Sequence, residues 1–259
     1  MIREKGMNFP LILRAFLRQD PDVILVGETR DSETAKTAIE AALTGHLVLT
    51  TLHTNDAAGA ISRLNEMEVE AFQVSSSLVG ILAQRLVRKV CADCRISYTP
   101  SSEELGRFGL SSSGGDVTFY RANTIAPEQA EAARAAGELC QTCQGAGYKG
   151  RVGVYEVMRI TENLQKMISD GAPAEHIKEA AVEEGMQTLL SYSLNLVEQG
   201  YTTLEEVERV TFTDTGLEAE LKARRKTILS CATCSAELHH DWLDCPYCLT
   251  PRFQSTEAK

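Results

Sequence analysis

The chain has 259 residues, 43% of them apolar, and a formal net charge of −10. That length allows one large folded unit or several small ones with real cores, and an acidic balance without clustered Lys and Arg gives no reason to expect nucleic acid. No apolar run approaches the roughly 20 residues of a membrane-spanning helix. Arg3, Glu4 and Lys5 lead into no apolar signal-peptide stretch, so a cytoplasmic protein is expected.

Leu11, Ile12, Ala15 and Phe16 share one helical face, and that helix must stop before Pro21. Val23–Val26 then reads as a buried parallel strand, because four β-prone apolar residues run straight into an acidic turn, Gly27-Glu28-Thr29-Arg30-Asp31. Asp31 or Ser32 is placed to cap a helix whose stripe is Ala35, Ala38, Ile39, Ala42 and Leu43, and Gly45 to end it. Leu47–Thr51 is a second buried strand, flanked by His46 and His53. Strand, helix and strand form a β-α-β unit, which implies a parallel sheet.

Asp56 can cap a helix ending near Met67. The apolar set Phe72, Leu78, Ile81, Leu82, Leu86 and Val90 predicts one long helix over Glu70–Lys89. Arg85, Arg88 and Lys89 then form a solvated helix face or a contact to a neighbouring subunit. Residues 95–139 are a polar insert with a loop at Ser111–Gly115 and a helix over the alanine-rich stretch 126–138. A short strand, Val152–Met158, stands among turn glycines. Residues 160–212 read as four helices, the last opened by Thr203 with Glu206 closing a capping box. A charged helical linker, 213–228, leads to a small module in the last thirty residues.

All eight cysteines fall in C-x-x-C pairs, a usage that favours zinc over disulfides in the absence of a secretory signal. Cys91/Cys94 and Cys140/Cys143 are separated by 45 residues, so a subdomain must grow between the two halves of one tetrahedral Zn²⁺ site. Cys231/Cys234 and Cys245/Cys248 are separated by ten residues, the compact spacing of a zinc ribbon. With Leu238 and Trp242 as its minimal core, metal must supply much of that module's folding energy. Glu28 ends a strand where open α/β sheets place ligand chemistry, so it is a candidate to hold Mg²⁺ and its waters or to polarise an attacking water. Taken alone, His46 and His53 read as hydrogen-bonded core histidines.

The segment Asp20–Asp31 together with Thr44–Asn55 resembles the Walker B and His boxes of the type II secretion and type IV pilus assembly ATPases. The tetracysteine and the adjoining Gly145–Glu156 resemble the same family. The likeness covers residues 6 to about 212. It implies an α/β fold with a partial RecA-like parallel-sheet core at 1–90 and a tetracysteine zinc subdomain at 91–159. An α-helical C-terminal subdomain comes next at 160–212, then the linker 213–228. The zinc ribbon at 229–252 departs from the family pattern. The resemblance implies that Glu28 and His53 are catalytic, with His53 sensing the γ-phosphate. Gly27, Arg30, Asp31, His46, Arg14 and Arg18 are expected near the nucleotide and Mg²⁺, the arginines neutralising phosphate charge in their own or a neighbouring subunit; a local ion pair is the equal alternative for Arg30 and Asp31, and His46 has an equal claim to a structural role. It further implies ATP and Mg²⁺ as cofactors, a homo-hexamer, and an inner-membrane platform protein as partner at the cytoplasmic face of the inner membrane. No G-x-x-x-x-G-K-[ST] occurs in the chain. The expectation is therefore the C-terminal portion of a longer motor, inactive alone; the alternative is a truncated, non-catalytic homologue acting as a zinc-stapled interaction module.

Overall fold

The computed structural model describes residues 9–108, 110 and 118–211, together with 233, 247 and 248. The chain divides into two compact units: Met1–Val87 with Arg151–Leu194, and Arg88–Gly150 with Asn195–Lys259.

In the first unit, α1 (Phe9–Phe16), β1 (Val23–Val26), α2 (Ser32–Leu43) and β2 (Leu47–Thr50) succeed one another. The strands are parallel, with Val23 opposite Leu47 and Val26 opposite Thr50. Helices α1 and α2 cover one face of this two-stranded sheet, packing Leu13, Ala38 and Ala41 against Ile24 and Val26. The expectation of fully buried strands is corrected. Val23, Leu25, Leu47 and Leu49 on the other face are about half exposed or more, because among the described residues no second layer covers them. Gly45, at φ +103°, ends α2 in a conformation that L side chains rarely adopt.

Helix α3 (Ala57–Glu66) is capped by Asp56, whose Oδ1 accepts the Gly59 N–H at 2.8 Å. The long helix expected over Glu70–Lys89 is corrected: α4 covers only Ala71–Ser77, and Gly80–Val90 is a strand, β3. The three serines ending α4 turn their hydroxyls onto carbonyls of the preceding turn, a competing interaction that weakens a helix. Beyond Gly80 the side chains alternate in exposure with period two as far as Val87. The partner of β3 is β6 (Tyr148–Arg159), four residues longer at its start than the sequence predicts. The pair is antiparallel. Ile160 N–H donates to Val79 O (3.1 Å) at one end, and Cys91 N–H donates to Gly147 O (2.9 Å) at the other. The core of the first unit gathers Ile39, Ile61, Leu64 and Val74 with Met158, Leu164, Ile168 and Ile177. The last three come from α7 (Glu162–Ser169) and α8 (Ala174–Glu183).

In the second unit, β4 (Ile96–Tyr98) and β5 (Phe119–Arg121) pair antiparallel. Short helix α5 (Ser102–Arg107) lies between them in sequence, and α6 (Ala130–Ala136) follows β5. Helix α9 (Leu189–Glu198) runs through the division, and α10 (Leu204–Thr211) comes after it. Thr203 caps α10 through its hydroxyl, which accepts the Glu206 N–H at 3.2 Å, but the capping box does not close. The Glu206 carboxylate is drawn away to Arg88 and Arg209. The predicted loop at Ser111–Gly115 and linker 213–228 lie outside the described residues.

Candidate functional site

The parallel register fixes the geometry around Glu28. Each residue of β1 faces the one 24 positions later in β2, so continuing it sets Glu28 level with Leu52 and next to His53. Three contacts extend the pairing past the strand ends. Thr29 N–H donates to Thr51 O (3.0 Å), the Thr51 hydroxyl donates to Gly27 O (2.7 Å), and the Thr29 and Thr50 hydroxyls meet at 2.8 Å. Glu28 Oε1 lies 2.5 Å from His53 Nε2, and Oε2 lies 2.5 Å from Arg30 Nη2. The Arg30 guanidinium holds the Glu28 carboxyl below its usual range; burial opposes this, and His53 adds to it. The His53 ring is 83% exposed, and among the described residues its loop and Glu28 set its position. An ionised carboxylate and an imidazole side by side at the carboxyl ends of parallel strands can orient a water and hydrogen-bond an anionic ligand.

The other residues singled out from the sequence separate into distinct roles. Arg30 belongs to the Glu28 cluster. Gly27 is exposed, and its carbonyl is held by Thr51. Asp31 is occupied in capping α2, with Oδ1 accepting the Thr34 N–H at 2.8 Å and Oδ2 the Thr34 hydroxyl at 2.9 Å. His46 closes the end of α2, its Nδ1 2.9 Å from Ala41 O. Arg14 pairs with Glu33 at 3.4 Å, and Arg18 is exposed in the turn after α1. The basic cluster is not a helix face. It lies on β3, where Arg85 reaches Asn55 (3.2 Å), Arg88 binds Glu206, and Lys89 stands over the Tyr201 ring at 5.6 Å.

Cys91, Cys94, Cys140 and Cys143 converge, with all four sulfurs within 4.8 Å of one another. Cys91 to Cys140 is 3.8 Å and Cys94 to Cys143 is 3.5 Å, far beyond a disulfide bond. Four sulfurs about 2.3 Å from a tetrahedral centre stand about 3.8 Å apart, so this donor set fits a metal ion with four thiolate ligands. Burial pushes the Cys94 thiol up, as do Cys143 and the other thiols. The Cys143 and Thr142 amides bring Cys140 down to about 7. Gly147 completes the second knuckle, donating its N–H to Cys143 Sγ at 3.3 Å. At φ +71° a Cβ there would stand 2.8 Å from Thr124 Cγ2. Of the second cysteine set, only Cys248 is among the described residues; Cys231, Cys234 and Cys245 lie outside them.

Residues 2–209 match the family model described as type II/IV secretion system protein. The chain belongs to that family. It is 49% identical over 205 residues to the type IV pilus assembly ATPase PilB of Thermus thermophilus, covering 79% of this chain and 21% of that protein. It is 43% identical over 205 residues to the type II secretion system ATPase E of Vibrio cholerae, covering 79% of this chain and 37% of the relative. Among solved structures, the pilus retraction motor PilT with bound ADP aligns at TM-score 0.52 and 29% identity, over 82% of this chain and 46% of that one. The Legionella pneumophila ATPase DotB aligns at TM-score 0.51 and 22% identity over 78% of this chain and 42% of that one, a likeness of fold alone. This member of the secretion family thus spans well under half the length of the curated relatives it matches.

Glu156 and Glu206 had no place among the sequence candidates, yet both are buried carboxylates with several partners. The signal for Glu156 was available. In the alternation Val154, Glu156, Met158 it occupies an inward position of β6.

Proposed function

We propose that this chain is the C-terminal portion of a secretion or pilus assembly motor ATPase, in which Glu28 and His53 organise ATP hydrolysis. The observation that carries the reading is the Glu28–His53 pair at 2.5 Å, at the carboxyl end of the parallel strands. Glu28 would hold the waters of Mg²⁺ or orient the attacking water, and His53 would contact the γ-phosphate. Arg30 would pass from Glu28 to phosphate charge as nucleotide arrives, with Arg14 and Arg18 contributing from the same or a neighbouring subunit. The names of the relatives, pilus assembly and secretion ATPases, support this activity. The ADP bound to PilT supports a nucleotide on this fold.

In the complete protein the β1–β2 pair belongs to a RecA-like core at 1–90, and the motor works as a homo-hexamer. Zn²⁺ at Cys91, Cys94, Cys140 and Cys143 staples the subdomain 91–159 and, having no open position, takes no part in chemistry. Residues 160–212 form the helical subdomain, 213–228 a linker and 229–252 a zinc ribbon with its own Zn²⁺. The motor acts at the cytoplasmic face of the inner membrane on a platform protein, driving pseudopilus or pilus assembly. Assembly is favoured over retraction because retraction motors usually lack a tetracysteine.

The 259 residues contain no Gly-rich Lys loop to cradle the β- and γ-phosphates. That observation favours the second reading, a non-catalytic, zinc-stapled interaction module. The test compares hydrolysis by residues 1–259 with hydrolysis by the same chain joined to an upstream half carrying a phosphate-binding loop. The motor reading expects less than about 0.01 s⁻¹ from the first, roughly a thousandfold below a median enzyme, and turnover from the second. Turnover from neither supports the module.

A further inference from the structure

Glu156 is a fully buried carboxylate with an unusual set of partners. Its Oε1 accepts the Ala57 N–H at 2.8 Å and its Oε2 accepts the Leu189 N–H at 3.3 Å. Ala57 is the first residue of α3 and Leu189 the first of α9, so one side chain satisfies an orphan amide at the start of each helix. Burial raises the Glu156 carboxyl, while the charge of Lys178 and the two amides act the other way. Lys178 is itself buried, and its Nζ lies 3.0 Å from Oδ2 of Asp56, the N-cap of α3. Strand β6 and helix α8 thus send two buried charged groups to one place, the beginning of α3.

That place is the far end of the segment that carries His53. At its near end, Thr51 is tied to Gly27 and Thr29. At the far end the ties are Asp56 to Lys178 and Ala57 to Glu156, with the Thr54 hydroxyl donating to Asp56 O at 3.0 Å. Between these anchors the His53 ring is largely in solvent, with the Glu28 carboxylate as its side-chain contact. A ring in that situation reaches Glu28 only if its backbone places it there, and the backbone is positioned by its two ends.

We infer that Glu156, assisted by Lys178, is a positioning residue: by holding Ala57 and Leu189 together it fixes the loop that sets His53 against Glu28, and it makes that loop sensitive to α8 and α9. The catalytic part of this inference rests on the reading of Glu28 and His53 as the hydrolytic pair; the structural part does not. Through this clamp, a movement of the helices after β6 reaches His53 without touching nucleotide.

The test is Glu156→Gln in the full chain. Glutamine keeps the volume but has one acceptor oxygen, and its amide group faces an N–H as donor to donor, so one of the two ties is lost. Two readouts are taken on residues 1–259 by NMR: amide exchange at Ala57 and Leu189, and the ¹⁵N shifts of the His53 ring. Exchange should quicken at least tenfold at one or both amides and the His53 nitrogens should shift, with exchange in β1 and β2 unchanged. Should Glu156→Gln fail to fold, Lys178→Gln replaces it, with a smaller change in the same direction expected. An unmoved His53 ring in the folded variant, or equal acceleration in β1 and β2, overturns the inference. A third readout uses the complete motor, where kcat should fall about tenfold with KM for ATP within twofold. A parent motor without turnover would sink the hydrolysis reading alone, because the His53 shifts still decide whether Glu156 positions the loop.

Discussion

Glu206 makes the sharpest stability prediction in the molecule. Its side chain is shut off from solvent, and both oxygens are taken. Oε1 accepts the Arg88 main-chain N–H (2.8 Å) and Arg209 Nη2 (2.6 Å), and Oε2 accepts Arg88 Nε (2.9 Å) and Arg209 Nε (3.0 Å). Burial alone would raise this carboxyl; the hydrogen bonds from Arg209 and Arg88 overcome it and bring it down to about 2. Measured from the ordinary value of 4.5, that difference corresponds to about 3 kcal/mol at neutral pH. Arg88 and Arg209 are each about half exposed, and solvent screening reduces the figure to about 2 kcal/mol.

The direction of the shift sets the sign. A carboxyl held below its unfolded value contributes fully above about pH 4.5, and that contribution is lost as pH falls towards about 2. Glu206→Gln should therefore destabilise the tie between α10 and the end of β3 by about 2 kcal/mol at pH 7, with little difference from the parent near pH 2. The assay is amide exchange at Arg88, whose N–H donates directly to Glu206, and at Val90, whose N–H donates to Tyr201 O at 2.9 Å. About 2 kcal/mol is roughly 30-fold faster exchange at pH 7. Unchanged exchange at pH 7, or an equal difference between variant and parent at both pH values, would refute the reasoning.

The chain should purify, without chelator, with two Zn²⁺, and X-ray absorption should show four sulfur neighbours at about 2.3 Å; one Zn²⁺ or none by elemental analysis counts against two tetracysteine sites. Cys91→Ser should unfold the region 91–150, whereas Cys231→Ser should leave residues 1–212 folded, as read by amide exchange. His46→Ala removes the contact to Ala41 O at the end of α2 and should cost about 1 kcal/mol in urea unfolding while leaving kcat of the complete motor within twofold; a large kcat effect would move His46 into the site.

The β-α-β unit, the caps at Asp31 and Asp56 and the four C-terminal helices were legible because each is specified within a few residues of sequence. The strand β3 was not. Leu78, Ile81, Leu82 and Leu86 satisfy a helical repeat, and the competing signals were Ser75-Ser76-Ser77 and Gly80. A Cβ at Gly80 would meet Met158 O at 3.3 Å, a demand set by the neighbouring strand and invisible along the chain. The β4–β5 pairing was likewise missed, because three-residue strands separated by twenty residues carry too little pattern. At the candidate site the sequence placed Glu28 and His53 beyond strand ends, where the structure has them, but it could not choose between capping and the nucleotide for Asp31 or assign Arg30 to Glu28. Those choices depend on side-chain geometry. The buried contacts of Glu156 and Glu206 escaped, Glu206 being read only as a capping-box residue, because partners lie 99 and 118 residues away.

The central claim is that Glu28 and His53 act as one hydrolytic pair. Its most direct test is single-turnover and steady-state ATP hydrolysis by the complete motor carrying Glu28→Gln, His53→Ala and both together. Glu28→Gln keeps shape and removes charge, and should lower kcat about 10²-fold with a much smaller effect on nucleotide binding. His53→Ala should cost about tenfold. The double variant should be no slower than Glu28→Gln alone, because groups that act as a unit are not additive. If Glu28→Gln stays within threefold of the parent, the acidic turn after Val26 is structural and the account of this site is wrong.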